Sequence, residues 1–154
     1  MELGGLLTPA CVVANLQAAD KKTLLQQIAA HAAPLLNLEA EDVFDALLQR
    51  ERLGTTGLGH GIALPHARIA GLETVSGFFA HLAKPVDFNA VDKEPVDLVF
   101  ALFAPVDAGA DHLNALVQVS RFLRDEKNIM HLRATRDDNV LHALLTMPAQ
   151  KYAA

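Results

Sequence analysis

The sequence GTTGLGHGIALPHAR, residues 54–68, contains the features on which our interpretation of the fold and function of the chain depends. Its four glycines allow the backbone to turn through positive φ or to approach a neighbouring group closely. Pro65 fixes its own φ and disfavours the helical region for Leu64, so the apolar run Ile62–Leu64 should be extended. His66 follows directly on this rigid neighbour. An imidazole held there could be a nucleophile, a general base or a metal ligand.

A strand and two helices are predicted before this stretch. Asp20 is placed to cap a helix over residues 21–33, which Pro34 should end. A second helix, with acidic residues in its first turn, is expected to end near Arg52. The remaining predictions are an irregular start over residues 1–9 and a short strand over residues 10–14.

Two strands and three helices are predicted after it. Residues 74–83 alternate modestly between apolar and polar side chains, whereas residues 96–103 are almost continuously apolar. The second pattern is typical of a strand covered on both faces. A turn over residues 107–111 should supply a carboxylate cap for a helix over residues 112–123. The predicted apolar stripe of that helix comprises Leu113, Leu116, Val117, Ser120 and Leu123, and Asp125 and Asp137 should cap helices over residues 126–133 and 138–145.

This order of elements predicts an α/β fold, a single domain with a central mixed β-sheet flanked by helices. The chain has 154 residues, 51% of them hydrophobic, which is enough for one domain with a real core. Its net charge of −5 argues against nucleic acid or an anionic membrane as a partner.

Sequence features also bear on the compartment. There is no apolar run of about 18 residues, so no membrane insertion is expected. A basic region followed by an apolar one is absent from the N-terminus, and Cys11 is the only cysteine, so neither secretion nor an internal disulfide is expected. We therefore expect a cytoplasmic protein.

The motif GxGIALPH, followed by a small and then a basic residue, resembles the phosphorylated segment of one family. This family comprises the mannitol/fructose-type enzyme IIA domains of the bacterial phosphotransferase system, and the nitrogen-regulatory enzyme IIA proteins resemble the chain most. The resemblance covers about residues 7–145, and it implies one such domain over residues 1–154 with the same sheet-and-helix fold. It further implies that Nε2 of His66 accepts a phosphoryl group, that His112 stabilises this group, and that Arg50 contacts its oxygens.

Each of these residues also has an ordinary interpretation. His66 could be an exposed loop histidine, His112 a solvated helix start, and Arg50 a solvated helix end. The glycines suit turns better than a phosphate cradle, because the run lacks both the GxxxxGK[ST] spacing and the dinucleotide fingerprint. Thr55 and Thr56 should complete the turn, and His60 is expected to be a variable loop residue.

The resemblance implies a phosphocarrier that receives its phosphoryl group from an HPr- or NPr-like carrier and controls regulatory target proteins in nitrogen and potassium metabolism. An alternative within the family is a sugar-transport enzyme IIA that passes phosphate to an enzyme IIB. A third alternative is a metal-dependent hydrolase built on His60, His66 and His112, but no HExxH or CxxC motif supports it. A purely structural interaction module is the fourth. No cofactor or metal is expected for the preferred interpretation.

Overall fold

The computed structural model describes residues 3–147, which form a six-stranded sheet and five α-helices. The strands are β1 (Val12–Leu16), β2 (Gly57–Gly59), β3 (Ile62–Ala63), β4 (His66–Arg68), β5 (Ser76–Val86) and β6 (Val96–Ala104). The helices are α1 (Lys21–Leu36), α2 (Ala40–Arg52), α3 (Ala110–Arg124), α4 (Glu126–Arg133) and α5 (Asp138–Thr146). None of these helices combines the length and the apolar character that a bilayer crossing requires.

The sheet is mixed, as the sequence predicts. Its strand order is β1-β5-β6-β3-β2, and β4 pairs with β6 beyond the end of β3. Strands β5 and β6 are antiparallel, whereas β1 is parallel to β5, and both β3 and β4 are parallel to β6. Helices α1 and α2 pack on each other, α2 also contacts β4, α3 packs on β6, and α5 packs on β1.

Strand β6 is the centre of the core. Every residue from Leu98 to Ala104 is fully buried, which confirms the prediction of a strand covered on both faces. The fully buried rings of Phe78 and Phe79 on β5 lie beside it. Such a densely packed strand gives the neighbouring site a rigid support.

The segment that contains His66 runs along one edge of β6. Ala63 pairs with Val99 and His66 pairs with Leu102, so the register is the same before and after Leu64–Pro65. Across this interruption the amide of Leu102 donates to the carbonyl of Pro65 at 2.9 Å. Pro65 therefore divides the strand in two without shifting it, and the extended backbone predicted for this run is confirmed.

The glycines of this segment form turns and close contacts. His60 and Gly61 both have positive φ, 57° and 81°, and they connect the antiparallel strands β2 and β3 as a two-residue hairpin turn. A Cβ on Gly57 would lie 2.8 Å from Cβ of Ala90, so only glycine lets β2 approach the loop that contains Ala90. These roles agree with the prediction that the glycines are turn formers.

Pro34 does not end α1, contrary to the prediction. It lies in the last turn, where its missing N–H affects only the carbonyl of the exposed residue Ala30, which water can reach. The helix ends at Asn37, which adopts the left-handed conformation and donates to Ala33 and Pro34.

Two predictions for α3 are also wrong. Gly109, with φ 56°, occupies the N-cap position of α3 and has no side chain with which to cap the helix. Leu113 and Val117 are exposed, and the buried stripe consists of His112, Ala115, Val119 and Leu123. Two overlapping apolar stripes exist in this sequence, and periodicity alone cannot say which one faces the sheet.

The other caps and the N-terminal segment follow simple chemistry. Asp20, Asp125 and Asp137 each accept amide hydrogen bonds at the start of their helices, as predicted. The irregular start predicted over residues 1–9 is only partly correct within the described residues. Leu6 and Leu7 are buried in the core, and the carbonyl of Leu6 accepts from Gly77.

Candidate functional site

His66 lies at the start of β4 with its ring half-buried. Its Nδ1 is 2.8 Å from the main-chain carbonyl oxygen of Leu64. A carbonyl can only accept a hydrogen bond, so Nδ1 of the neutral ring carries the proton and Nε2 keeps a lone pair. The hydrogen bond to Leu64 thus leaves the lone pair of Nε2 of His66 available for nucleophilic attack.

Arg50 comes from the last turn of α2, beside β4. Its Nε donates to Nε2 of His66 at 3.3 Å, and its Nη1 donates to the carbonyl of Gly54 at 3.0 Å. The acceptor role of Nε2 in this contact agrees with the tautomer that Leu64 imposes. The guanidinium places a permanent positive charge next to Nε2 of His66.

His112 lies in the first turn of α3 and is 7% exposed. Its ring centroid is 6.0 Å from that of His66, and the two rings meet edge to face at 64°. Its Nδ1 accepts from Nε of Arg68 at 3.3 Å, whereas its Nε2 is buried and has no hydrogen-bond partner within residues 3–147. The structure therefore brings His66, His112 and Arg50 together, the three residues selected from the sequence.

Both histidines favour the neutral form. Burial is the main cause that lowers the pKa of His66, and the charge of Arg50 adds to it, while the Leu64 hydrogen bond and the Glu51 carboxylate act in the opposite direction. Burial, followed by the charges of His66 and Arg68, lowers the pKa of His112. Near neutral pH the cleft therefore contains two uncharged imidazoles and two guanidinium groups.

The site opens to solvent through a cleft of about 610 Å³. Its floor carries the two imidazoles, and its rim includes Leu53 and Leu113, whose side chains are 85% and 63% exposed. A rim of exposed apolar side chains around a polar floor is typical of a surface that meets another protein.

Sequence reasoning did not assign a role to Arg68. It lies two residues after His66 on the same strand, so both side chains point to the same face. Its Nη1 also donates to the carbonyl of Val106 at 3.3 Å. The period of two in an extended segment could have identified Arg68, but its contact with His112 depends on the position of α3.

Glu51 supports the backbone behind the site. It is buried, pairs with Lys21 at 2.7 Å, and accepts from the amide and hydroxyl groups of Thr56. Lys21 in turn donates to the carbonyl of Phe88 and lies over the Phe88 ring. This network joins the end of α2 to the glycine-rich segment, and it explains why Thr56 serves the turn rather than the cleft.

The other histidines do not enter this cleft. His60 is exposed in the hairpin turn, and His81 is buried with Nδ1 next to the carbonyl of Thr135. Within residues 3–147 no group of three or more His, Cys, Asp or Glu side chains is arranged to hold a metal ion. In the described part of the chain, His60, His66 and His112 thus do not form the metal site that a metal-dependent hydrolase would need.

Comparison with known proteins identifies the family. The family model "Phosphoenolpyruvate-dependent sugar phosphotransferase system, EIIA 2" matches residues 5–147. A protein from Bradyrhizobium diazoefficiens named "Nitrogen regulatory protein" is 45% identical over 148 residues, which is 96% of this chain and 97% of the relative.

Solved structures agree with this result. The Nitrogen Regulatory Protein IIA-Ntr from Neisseria meningitidis superposes with a TM-score of 0.88 at 33% identity and covers 94% of this chain and 99% of its own. IIA mannitol from Escherichia coli, with a TM-score of 0.76 at 24% identity and coverage of 90% and 98%, shares the fold. The chain therefore belongs to the EIIA 2 family of the phosphoenolpyruvate-dependent sugar phosphotransferase system.

Proposed function

We propose that this protein is a phosphocarrier in which Nε2 of His66 accepts a phosphoryl group from a phosphohistidine on an HPr- or NPr-like carrier protein. The observation that carries the proposal is the hydrogen bond from Nδ1 of His66 to the carbonyl of Leu64, at 2.8 Å. It leaves the lone pair on the ring nitrogen that Arg50 contacts. Membership in the EIIA 2 family supports the same reaction class.

The transfer exchanges one phosphorus–nitrogen bond for another. The Nε2 lone pair of His66 bonds to phosphorus while the bond between phosphorus and the donor histidine breaks, and its electron pair stays on the donor ring. His66 loses no proton, because the attacking nitrogen carries none and Nδ1–H remains on the carbonyl of Leu64. Positive charge grows on the His66 ring in this step, and that carbonyl stabilises it.

Arg50 has to change partners during the reaction. Its Nε–H points at the lone pair that attacks, so the guanidinium moves from Nε2 of His66 to the oxygens of the incoming group. Phosphoryl transfer depends mainly on in-line positioning and on positive charge around these oxygens. Arg50 supplies the charge, and His112, which lines the same cleft, supplies an N–H donor.

The partner surface follows from the rim of the cleft. Leu53 and Leu113 form an exposed apolar rim, and the chain carries a net charge of −5. A small carrier with apolar side chains around its phosphohistidine, and with basic groups farther out, is complementary to this arrangement. We place the reaction in the cytoplasm, in accord with the single free, buried Cys11.

The role that fits the relatives best is regulatory. The Bradyrhizobium relative, which matches nearly the whole chain, carries the name of a nitrogen regulatory protein, and so does the Neisseria structure. In this role the phosphorylation state of His66 decides which regulatory target proteins bind. Passage of phosphate to an enzyme IIB is the alternative, and the shared fold with IIA mannitol is consistent with it.

Reconstitution tests this function. The protein is incubated with phosphoenolpyruvate, enzyme I and the carrier, and the labelled residue is mapped by mass spectrometry before and after addition of an enzyme IIB. We expect label on His66, none in His66→Ala, and no transfer to the enzyme IIB. Undiminished label in His66→Ala would refute the proposal, and fast transfer to the enzyme IIB would replace the regulatory role by sugar transport.

A further inference from the structure

We infer that Arg68 is a positioning residue that holds His112 in the tautomer with the proton on Nε2, so that this N–H is ready for a phosphoryl oxygen. The use of this N–H in phosphoryl transfer rests on the proposed function of the site. The contact between Arg68 and His112 that sets the tautomer does not. It assigns opposite tautomers to the two histidines of one cleft, and a different neighbour imposes each of them.

The contact between Arg68 and His112 determines the tautomer. Nε of Arg68 lies 3.3 Å from Nδ1 of His112 in donating geometry. A guanidinium has only donors and does not lose its proton in proteins, so Nδ1 of His112 must present its lone pair. The neutral ring then carries its proton on Nε2. Burial, as the largest cause, lowers the pKa of His112 and thereby favours the neutral ring.

Arg68 is itself held in place from two sides. Its backbone belongs to β4, where Arg68 pairs with Ala104 at the end of the buried strand β6. Its Nη1 donates to the carbonyl of Val106, just after that strand. The guanidinium is thereby fixed between strand and loop, and its Nε–H can select one nitrogen of the neighbouring ring.

The other nitrogen of His112 has an unmet need. Nε2 is buried and finds no acceptor within residues 3–147. A buried N–H without a partner is unfavourable in a folded protein, and such groups occur where an external group completes the hydrogen bond. The ring lines the same cleft as His66, 6.0 Å away between centroids, so an oxygen of a group bonded to His66 can serve as that acceptor.

The arrangement gives each imidazole its own arginine. Arg50 faces the unprotonated Nε2 of His66, and Arg68 faces the unprotonated Nδ1 of His112. His66 becomes the nucleophile because a carbonyl holds its proton on Nδ1, whereas His112 becomes the donor because a guanidinium excludes the proton from Nδ1. With Nδ1 protonated instead, His112 would turn a lone pair toward the anionic oxygens and repel them.

The direct test is the tautomer of His112 in the unphosphorylated protein. Two-bond nitrogen–hydrogen NMR spectra of the labelled protein distinguish a protonated from an unprotonated ring nitrogen. In the wild-type chain we expect an unprotonated Nδ1 and a protonated Nε2 for His112, and the reverse for His66. A protonated Nδ1 of His112 in the wild type would overturn the inference, whatever the protein does with phosphate.

Variants of Arg68 test the cause. Arg68→Met removes the donors but keeps an unbranched side chain, and we expect His112 to become a mixture of tautomers while His66 keeps its own. Phosphorylation of His66 by the carrier should slow by about tenfold, which is a smaller effect than complete loss of the His112 N–H donor would have. Arg68→Lys, which restores a donor-only cation, should recover part of both effects.

The matched control is Arg121→Met, which removes one exposed positive charge from α3, the helix that carries His112. It should leave both the nitrogen resonances and the rate unchanged. An unaltered His112 tautomer in folded Arg68→Met would contradict the inference, and so would an Arg121→Met change of equal size. If Arg68→Met does not fold, Arg68→Lys and the wild-type spectrum still decide the outcome.

Discussion

The rings of His66 and His112 face each other edge to face, 6.0 Å apart, and their Nδ1 atoms meet partners of opposite kind. Nδ1 of His66 lies on a main-chain carbonyl, whereas Nδ1 of His112 receives an N–H from an arginine. One ring consequently offers a lone pair on Nε2 and the other offers a proton. This pairing of a lone pair with a donor suits the phosphoryl-accepting role that we propose for the cleft.

Removal of the donor ring should slow phosphorylation without abolishing it. His112→Ala removes the Nε2–H that we propose as the donor to the phosphoryl oxygens, and we expect the rate of phosphorylation by the carrier to fall roughly hundredfold. Rapid-quench kinetics measure the rate. His131→Ala, which changes an exposed histidine on α4, is the control and should react like the wild type. Wild-type rates in His112→Ala would remove His112 from the proposed site.

The pH dependence follows from the lowered pKa of His66. Because burial disfavours its charged form, we expect its NMR titration midpoint to lie below the ordinary imidazole value of about 6.5. His66, the proposed nucleophile, then stays neutral to lower pH than a free imidazole does. A midpoint above the ordinary value would show that the Leu64 and Glu51 contacts outweigh burial.

The same shift affects stability. As the pH falls, His66 is protonated in the unfolded chain before it is protonated in the folded chain. The contribution of neutral His66 to the free energy of unfolding is therefore fully present above about pH 6.5 and declines as the pH falls toward the lowered pKa of the folded state. The burial of His112 acts in the same direction. Urea unfolding at several pH values gives the free energy of unfolding of the wild type and of His66→Gln. The difference between these two free energies should shrink or change sign on acidification. A difference that is independent of pH would contradict this expectation.

Neutralisation of Glu51 should loosen the support behind the site. Glu51→Gln keeps the size of the side chain but leaves Lys21 without its carboxylate and weakens the bonds to Thr56. We expect the free energy of unfolding to fall by about 1–3 kcal/mol. Glu73→Gln, at an exposed loop position, is the matched control and should change it little. Equal stability of the two variants would show that the buried network contributes nothing net.

Charges on the rim should impair carrier docking and spare the chemistry. For Leu53→Asp and Leu113→Asp we expect KM for the phosphorylated carrier to rise about tenfold, equivalent to about 1.4 kcal/mol, with kcat nearly unchanged. Val91→Asp changes another highly exposed apolar residue, outside the cleft, and serves as the control. An equal effect at all three positions would point to a general charge effect rather than to docking at the rim.

Local sequence chemistry predicted much of the fold. The apolar run of β6 indicated a strand buried on both faces, and the aspartates before α1, α4 and α5 indicated their starts. These features depend on near neighbours only. The error at Pro34 arose because a proline in the last turn of a helix lacks only one bond, which solvent replaces.

Less of the site could be predicted. The motif around His66, together with the family resemblance, was enough to select Arg50 and His112, which come from different helices. The contact of Arg68 with His112 and the ion pair of Glu51 with Lys21 join residues distant in sequence, so only the packed structure reveals them. The exposure of Leu113 was missed because two apolar stripes overlap on α3.

The most direct test is to identify the nitrogen that carries the phosphoryl group. The uniformly nitrogen-15-labelled protein is phosphorylated through the carrier, and phosphorus–nitrogen couplings are measured for each histidine by NMR. The central claim predicts a coupling to Nε2 of His66, with Nδ1 of that ring still protonated and held by the carbonyl of Leu64. A phosphoryl group on Nδ1 of His66, or on His112, would contradict it.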